Sequence, residues 1–221
     1  MAQELKVETI RTQITGRYLV RPARSINPAP MLVGFHGYGE NPKHHLDELL
    51  SIPGLENWLL VSVSALHRFY ERKTGAVVGS WMTSEDREHL ILDNLRYVDA
   101  VVDSVSRTHS TSATVVYSGF SQGSAMAYRA GRRGRIPAAG IIALGSDIPP
   151  ELQTSGHADW PKVLLGRGTT DPWYTEEQMD RDVTFLRSAR ASLDTVVFEG
   201  GHEWHDDFRK AAARFLRTTQ T

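Results

Sequence analysis

The chain has 221 residues, 40% of them apolar, which is enough to bury one sizeable core and reads as a single domain over residues 1–221. Its 25 basic and 26 acidic residues are interleaved and leave a net charge of −1, which argues against nucleic acid or an anionic membrane surface as a partner. No cysteine occurs, so disulfides, thiolate metal sites and cysteine nucleophiles are all excluded.

Residues 1–24 are polar and mixed in charge, without the apolar stretch of a secretory signal, and no apolar run approaches membrane-spanning length. The expectation is a soluble, cytoplasmic protein with no stable membrane insertion. Two β-rich runs at 7–14 and 17–20 have no helix between them and predict an antiparallel hairpin turning at Thr15-Gly16. Further strands are predicted at 31–35, 59–63, 114–119, 139–144, 162–166 and 195–199. They alternate with helical patterns near 43–50, 85–107, 122–133, 175–190 and 204–217. Eight strands in a mostly parallel sheet, with helices on both faces, is the expected α/β architecture.

The first of the later strands, Met31 to Phe35, runs into His36-Gly37-Tyr38-Gly39. A glycine-rich loop at a strand end lets backbone N–H groups approach a substrate, and the N–H of Tyr38 is the expected oxyanion donor from it. His36 reads as a structural histidine that fixes the loop. Residues 67–75 mix aromatics with charge and read as a solvated loop, with a partial lid as the alternative. In the long helix, Ile91, Leu95, Val98, Val102 and Val105 make one apolar stripe, and Thr83 or Ser84 can cap it.

The run Thr114-Val115-Val116-Tyr117-Ser118-Gly119-Phe120-Ser121-Gln122-Gly123 carries the most information. An uncharged strand breaks at Gly-x-Ser-x-Gly into an alanine-rich helix, so that Ser121 is lifted clear of the sheet on a sharp turn. The pentapeptide is common, and its strand-turn-helix context is what makes it a nucleophile elbow. A serine hydroxyl is a poor nucleophile at neutral pH. Acyl transfer therefore needs a base, an acid to orient the base, and donors for the developing oxyanion. The N–H of Gln122, at the helix N-terminus, is the second expected donor.

The dense basic patch at 132–135 falls where that helix should end, and reads as charge complementing the helix dipole. The connection from 145 to 161 is too short for a large cap domain, so the site should be open.

The strand at 162–166 leads into a glycine-rich loop with a single carboxylate, Asp171, 50 residues after Ser121 and 31 before His202. It is the favoured acid, with Asp147 after the preceding strand as its rival. The last strand ends Glu199-Gly200-Gly201-His202, which puts His202 where the base is required. His205 should lie inside the next helix, and the other seven histidines all precede the acid. His202 and His205 lack a third placed ligand, so no metal site is expected. Tyr38, Trp81 and Trp173 flank the site in sequence and are candidates to wall an acyl pocket, though core packing explains them equally well.

His36-Gly37-Tyr38-Gly39, Gly119-Phe120-Ser121-Gln122-Gly123, Asp171-Pro172 and Gly201-His202-Glu203-Trp204 together resemble the phospholipase/carboxylesterase branch of the α/β hydrolases, which includes acyl-protein thioesterases and small bacterial carboxylesterases. Ser80-Trp81 before an acidic helix start is also similar. The resemblance spans about residues 30–217. It implies hydrolysis of carboxylic esters or thioesters through an acyl-serine intermediate, without metal or organic cofactor. Ser124 stands where the thioesterase-like members tend to carry another glycine, which bears on substrate more than on chemistry. A small-molecule ester is the expected substrate, with thioester or lysophospholipid as the alternative. A non-catalytic binding protein on the same fold is the reading of another class. The sequence leaves a homodimer open.

Overall fold

A computed structural model describes residues 5–25, 27–154 and 159–219. Its frame comes from short runs of β-branched and aliphatic residues too apolar to face water on either side. β2 (Ala29–Phe35), β3 (Leu59–Val63) and β7 (Gly140–Leu144) are buried along their whole length. They join β1 (Tyr18–Arg21), β6 (Thr111–Phe120), β8 (Lys162–Gly168) and β9 (Leu193–Phe198) in one seven-stranded sheet of order β1-β3-β2-β6-β7-β8-β9. Only β1 is antiparallel to its neighbour.

Alternation along the strands divides the core in two. Met31, Val33, Phe35, Tyr117, Ile141 and Leu165 point to one face, where they meet α2 (Arg87–Thr108), α3 (Gln122–Arg133) and α5 (Glu176–Ser188). Leu32, Val116, Ile142 and Leu164 point to the other, under α1 (Pro42–Leu50) and α6 (Asp206–Arg217). The stripe predicted for the long helix, Ile91 to Val105, is buried throughout.

The sheet has seven strands and not eight, because residues 7–14 form no strand and no hairpin turns at Thr15-Gly16. In a strand Ile10 and Ile14 would share one face and Val7 would lie on the other, and all three are exposed, so the segment buries no apolar side. β1 pairs instead with β3, Tyr18 opposite Val63. The stretch read as a loop holds a second sheet, the ribbon of β4 (His67–Tyr70) and β5 (Val77–Ser80). Its turn is held by the Glu71 carboxylate, which accepts from Lys73 N–H and Thr74 N–H.

Neither Thr83 nor Ser84 caps α2. The helix starts after Asp86, which adopts φ 49° and makes no side-chain cap bond. Between β7 and β8 the described residues contain one four-residue helix, α4 (Pro150–Gln153), and no large cap. No helix among the described residues is long and apolar enough to cross a membrane.

Candidate active site

β6 passes directly into α3 through Ser121, whose backbone lies at φ 52° and ψ −127°. A non-glycine residue held there costs about 1–3 kcal/mol, which the surrounding packing must supply. A Cβ on Gly119 would strike the carbonyl of Gly123, and one on Gly123 would strike the carbonyl oxygens of Phe35 and His36. The elbow is therefore tight within itself and presses against the end of β2. Ser121 N–H donates to Leu144 O at 2.8 Å, tying it to the end of β7. Ser124 adds to that tie. Its buried hydroxyl accepts Leu144 N–H at 3.1 Å and lies 2.9 Å from the carbonyls of both Gly119 and Leu144, either of which can take its proton.

Asp171 follows β8 with its carboxylate buried. Oδ1 accepts the N–H groups of Trp173 (2.8 Å) and Tyr174 (3.0 Å), which leaves Oδ2 to meet His202 Nδ1 at 2.8 Å. With Nδ1–H donating to the carboxylate, the Nε2 lone pair is left free. The rival acid Asp147 is exposed, and it is Asp171 that binds the imidazole. Thr170 stitches the Asp171 loop to the His202 loop, donating from N–H and hydroxyl to Gly200 O at 2.9 and 2.8 Å. The His202 ring lies tilted by 36° against Phe120, the residue before Ser121, with centroids 4.8 Å apart. Its Cε1 lies over Gly145, where a Cβ would approach to 2.9 Å. Strand ends β6, β7, β8 and β9 thus converge on one imidazole.

The loop after β2 is fixed from within. His36 Nδ1–H donates to Gly37 O at 2.7 Å and Nε2 accepts Ala65 N–H at 3.0 Å, so the ring is neutral, and burial holds its pKa below the usual histidine range. The Glu40 carboxylate takes Gly37 N–H at 2.8 Å, and burial raises its pKa against the pull of that bond and of nearby His44 and His202. With Gly37 engaged, Tyr38 N–H is the next donor in the loop. Gln122 opens α3, where N–H groups have no preceding turn to bond. These two donors belong to backbone segments packed against each other at Gly123.

Trp81 does not wall a pocket. It is fully buried, edge-on to Phe35 at 5.4 Å, and its indole N–H donates to His36 O at 2.8 Å, so it braces the loop from the core side. The Gln122 side chain fixes the same segment, accepting Trp81 N–H (2.8 Å) and donating to Met82 O (3.0 Å). Trp173 and Tyr38 are 74% and 64% exposed and so accessible to a ligand. Tyr38 stands 5.7 Å from Phe69 of β4, and Gly39 N–H pairs with Gly79 O, so the ribbon backs this loop. His205 is the N-cap of α6, not an interior helix residue, and stacks on Phe198. Among the described residues no group of three histidines or carboxylates could hold a metal ion.

Sequence reasoning missed Glu40 and the floor at Gly145. The signal for the first was a carboxylate three residues after a glycine of the loop. For the second it was a glycine at a strand end, held at φ +71°.

The chain matches the phospholipase/carboxylesterase family over residues 22–220. A search of the curated proteins gives no match. Among solved structures, esterase PE8 superposes with a TM-score of 0.75 at 24% identity, covering 93% of this chain and 100% of that one. The Bacillus cereus carboxylesterase gives 0.70 at 15% identity, covering 92% and 94%. Zea mays acyl-protein thioesterase 2 gives 0.69 at 18% identity, covering 94% and 100%.

Proposed function

The chain belongs to the phospholipase/carboxylesterase family of hydrolases, and from that premise we propose that it is a serine esterase acting on small or medium acyl esters through an acyl-serine intermediate. The observation that carries the proposal is the 2.8 Å bond from His202 Nδ1 to the buried Asp171, with the ring packed against Phe120 beside the strained turn that presents Ser121. Ser121 Oγ attacks the carbonyl carbon while His202 Nε2 takes its proton. The imidazolium keeps its Nδ1–H on Asp171, which stabilises the charge and fixes the tautomer. The tetrahedral oxyanion is held by the N–H groups of Tyr38 and Gln122. Collapse breaks the bond to the leaving alkoxide, which takes the proton from Nε2. Water, deprotonated by the same nitrogen, then releases the acid and frees Ser121.

Trp173 and Tyr38, with Phe69 behind it, offer exposed aromatic surface beside the acid and the oxyanion donors for the apolar part of a substrate. The test is labelling by a fluorophosphonate probe read by intact mass, beside turnover of a short and a long p-nitrophenyl ester and the matching thioesters. One label per chain is expected. Ser121→Ala should abolish the label and lower turnover by up to about a millionfold, to the level left by the oxyanion donors and binding. Labelling that survives Ser121→Ala would put the nucleophile elsewhere. Turnover of thioesters alone would move the substrate class.

A further inference from the structure

α5 presents Met179, Asp182 and Leu186 to the core at helical spacing, and the middle member is a carboxylate. Asp182 is 2% exposed, and among the described residues no cation forms an ion pair with it. Burial without a counter-charge is unfavourable, so a nonpolar residue in this stripe would be the simpler core. What the carboxylate does make is two hydrogen bonds through one oxygen. Oδ2 accepts the Tyr174 hydroxyl at 2.9 Å and Ile148 N–H at 3.1 Å.

Both partners lie on loops that meet the imidazole. Tyr174, itself buried, donates its N–H to Asp171 Oδ1, so its ring is the root of the turn that aims the acid. Ile148 closes the loop that begins at Gly145, the surface on which the His202 ring rests. One oxygen on α5 therefore sets the distance between the loop that orients the base and the loop that supports it.

We infer that Asp182 and Tyr174 are positioning residues for the Asp171–His202 pair, holding the loops after β7 and β8 in register from beneath. The inference rests on the serine-esterase reading for its effect on turnover. It does not rest on that reading for its effect on the hydrogen bond itself. Neither residue touches substrate. A shift of about 1 Å in a reacting group can cost on the order of a hundredfold in rate, so a loose strut acts on kcat while leaving the binding surface in place.

The experiment compares Tyr174→Phe, Asp182→Leu, their double variant and Asp182→Asn. Tyr174→Phe keeps the ring and removes only the hydroxyl, so the proposal stays testable if Asp182→Leu does not fold. Tyr174→Phe and Asp182→Leu should each lower kcat by about ten- to a hundredfold with KM within about twofold. The double variant should be no worse than Asp182→Leu, because both break the same tie. Asp182→Asn should restore kcat, since its amide oxygen can accept both donors. The proton shared by His202 and Asp171, read by its downfield NMR resonance in the free protein, should broaden or move upfield in Tyr174→Phe.

Unchanged kcat and an unmoved resonance in both single variants would overturn the positioning role while Ser121→Ala still abolished turnover. Full turnover in Ser121→Ala would overturn the esterase reading instead, and the resonance would then judge the strut alone.

Discussion

His202 can act as a base only if its proton sits on Nδ1, and one interaction decides that: the bond to Asp171 Oδ2. Asp171→Asn keeps the shape but can present an N–H to Nδ1, which favours the wrong tautomer, so turnover should fall on the order of 10⁴-fold. Asp147→Asn, on an exposed side chain, should stay within about twofold of the parent in the same assay, because Asp171 takes the bond from the imidazole. The reverse ranking would mean the acid had been misassigned. These residues were legible in the sequence because each sits at a strand end in a fixed chain order, and strand ends are one-dimensional features. Trp81 was not. Whether an aromatic near a site faces ligand or core depends on which loop packs over it, and here His36 and Gln122 draw it inward. Asp182 escaped for a related reason: a carboxylate in a helical pattern reads as solvated until the helix is docked.

Among the elements, the elbow shows how the fold sustains a strained turn. Strand β6 and helix α3 can meet at Ser121 only because Gly119 and Gly123 carry no side chain and because β7 holds both sides of the turn through Leu144. Ser124, the departure from the thioesterase-like pattern, is part of that hold. Ser124→Ala leaves the buried Leu144 N–H without its hydroxyl partner, and should lower unfolding free energy by about 1–3 kcal/mol in denaturant titration. A loss below the error of the titration would remove the hydroxyl from the account of the elbow.

The contrast between residues 7–14 and the ribbon explains where element reading failed. The first has β-forming residues, and Ile10 and Ile14 could even share a face, but they are left exposed, so propensity misled. The second has short strands whose Phe69, paired across the ribbon with Val78, meets Tyr38 of the loop after β2, and no local window contains that partner. Where one face is buried against the main sheet, as in α2, periodicity alone placed the element.

For the molecule as a whole, pH sensitivity follows from two buried groups whose signs oppose. His45, on the inner side of α1, is fully buried against Trp204 with neither ring nitrogen partnered among the described residues, and desolvation lowers its pKa to about 3. A depressed histidine pKa means that the unfolded chain takes up the proton first, so stability is lost as pH falls from about 6.5 toward 3.

Asp182 is pushed up to about 6 by burial, with Asp147 adding to the shift while the bonds from Tyr174 and Ile148, and Arg181 nearby, reduce it. Here the folded state binds the proton first, so stability is gained as pH falls from about 6 toward 4, and the gain stops there as the unfolded carboxylate titrates. Between about pH 6 and 4 the His45 loss and the Asp182 gain therefore oppose one another and partly offset. Below pH 4 only the histidine continues. Tm should therefore fall more gently between pH 6 and 4 than just below pH 4. His45→Phe, which keeps a ring against Trp204, should remove the fall from these two groups and raise Tm as pH drops to 4. Asp182→Asn should instead bring the loss forward to begin near pH 6. Identical pH profiles in the parent and both variants would mean that neither group titrates with folding, and that acid sensitivity resides in the surface carboxylates.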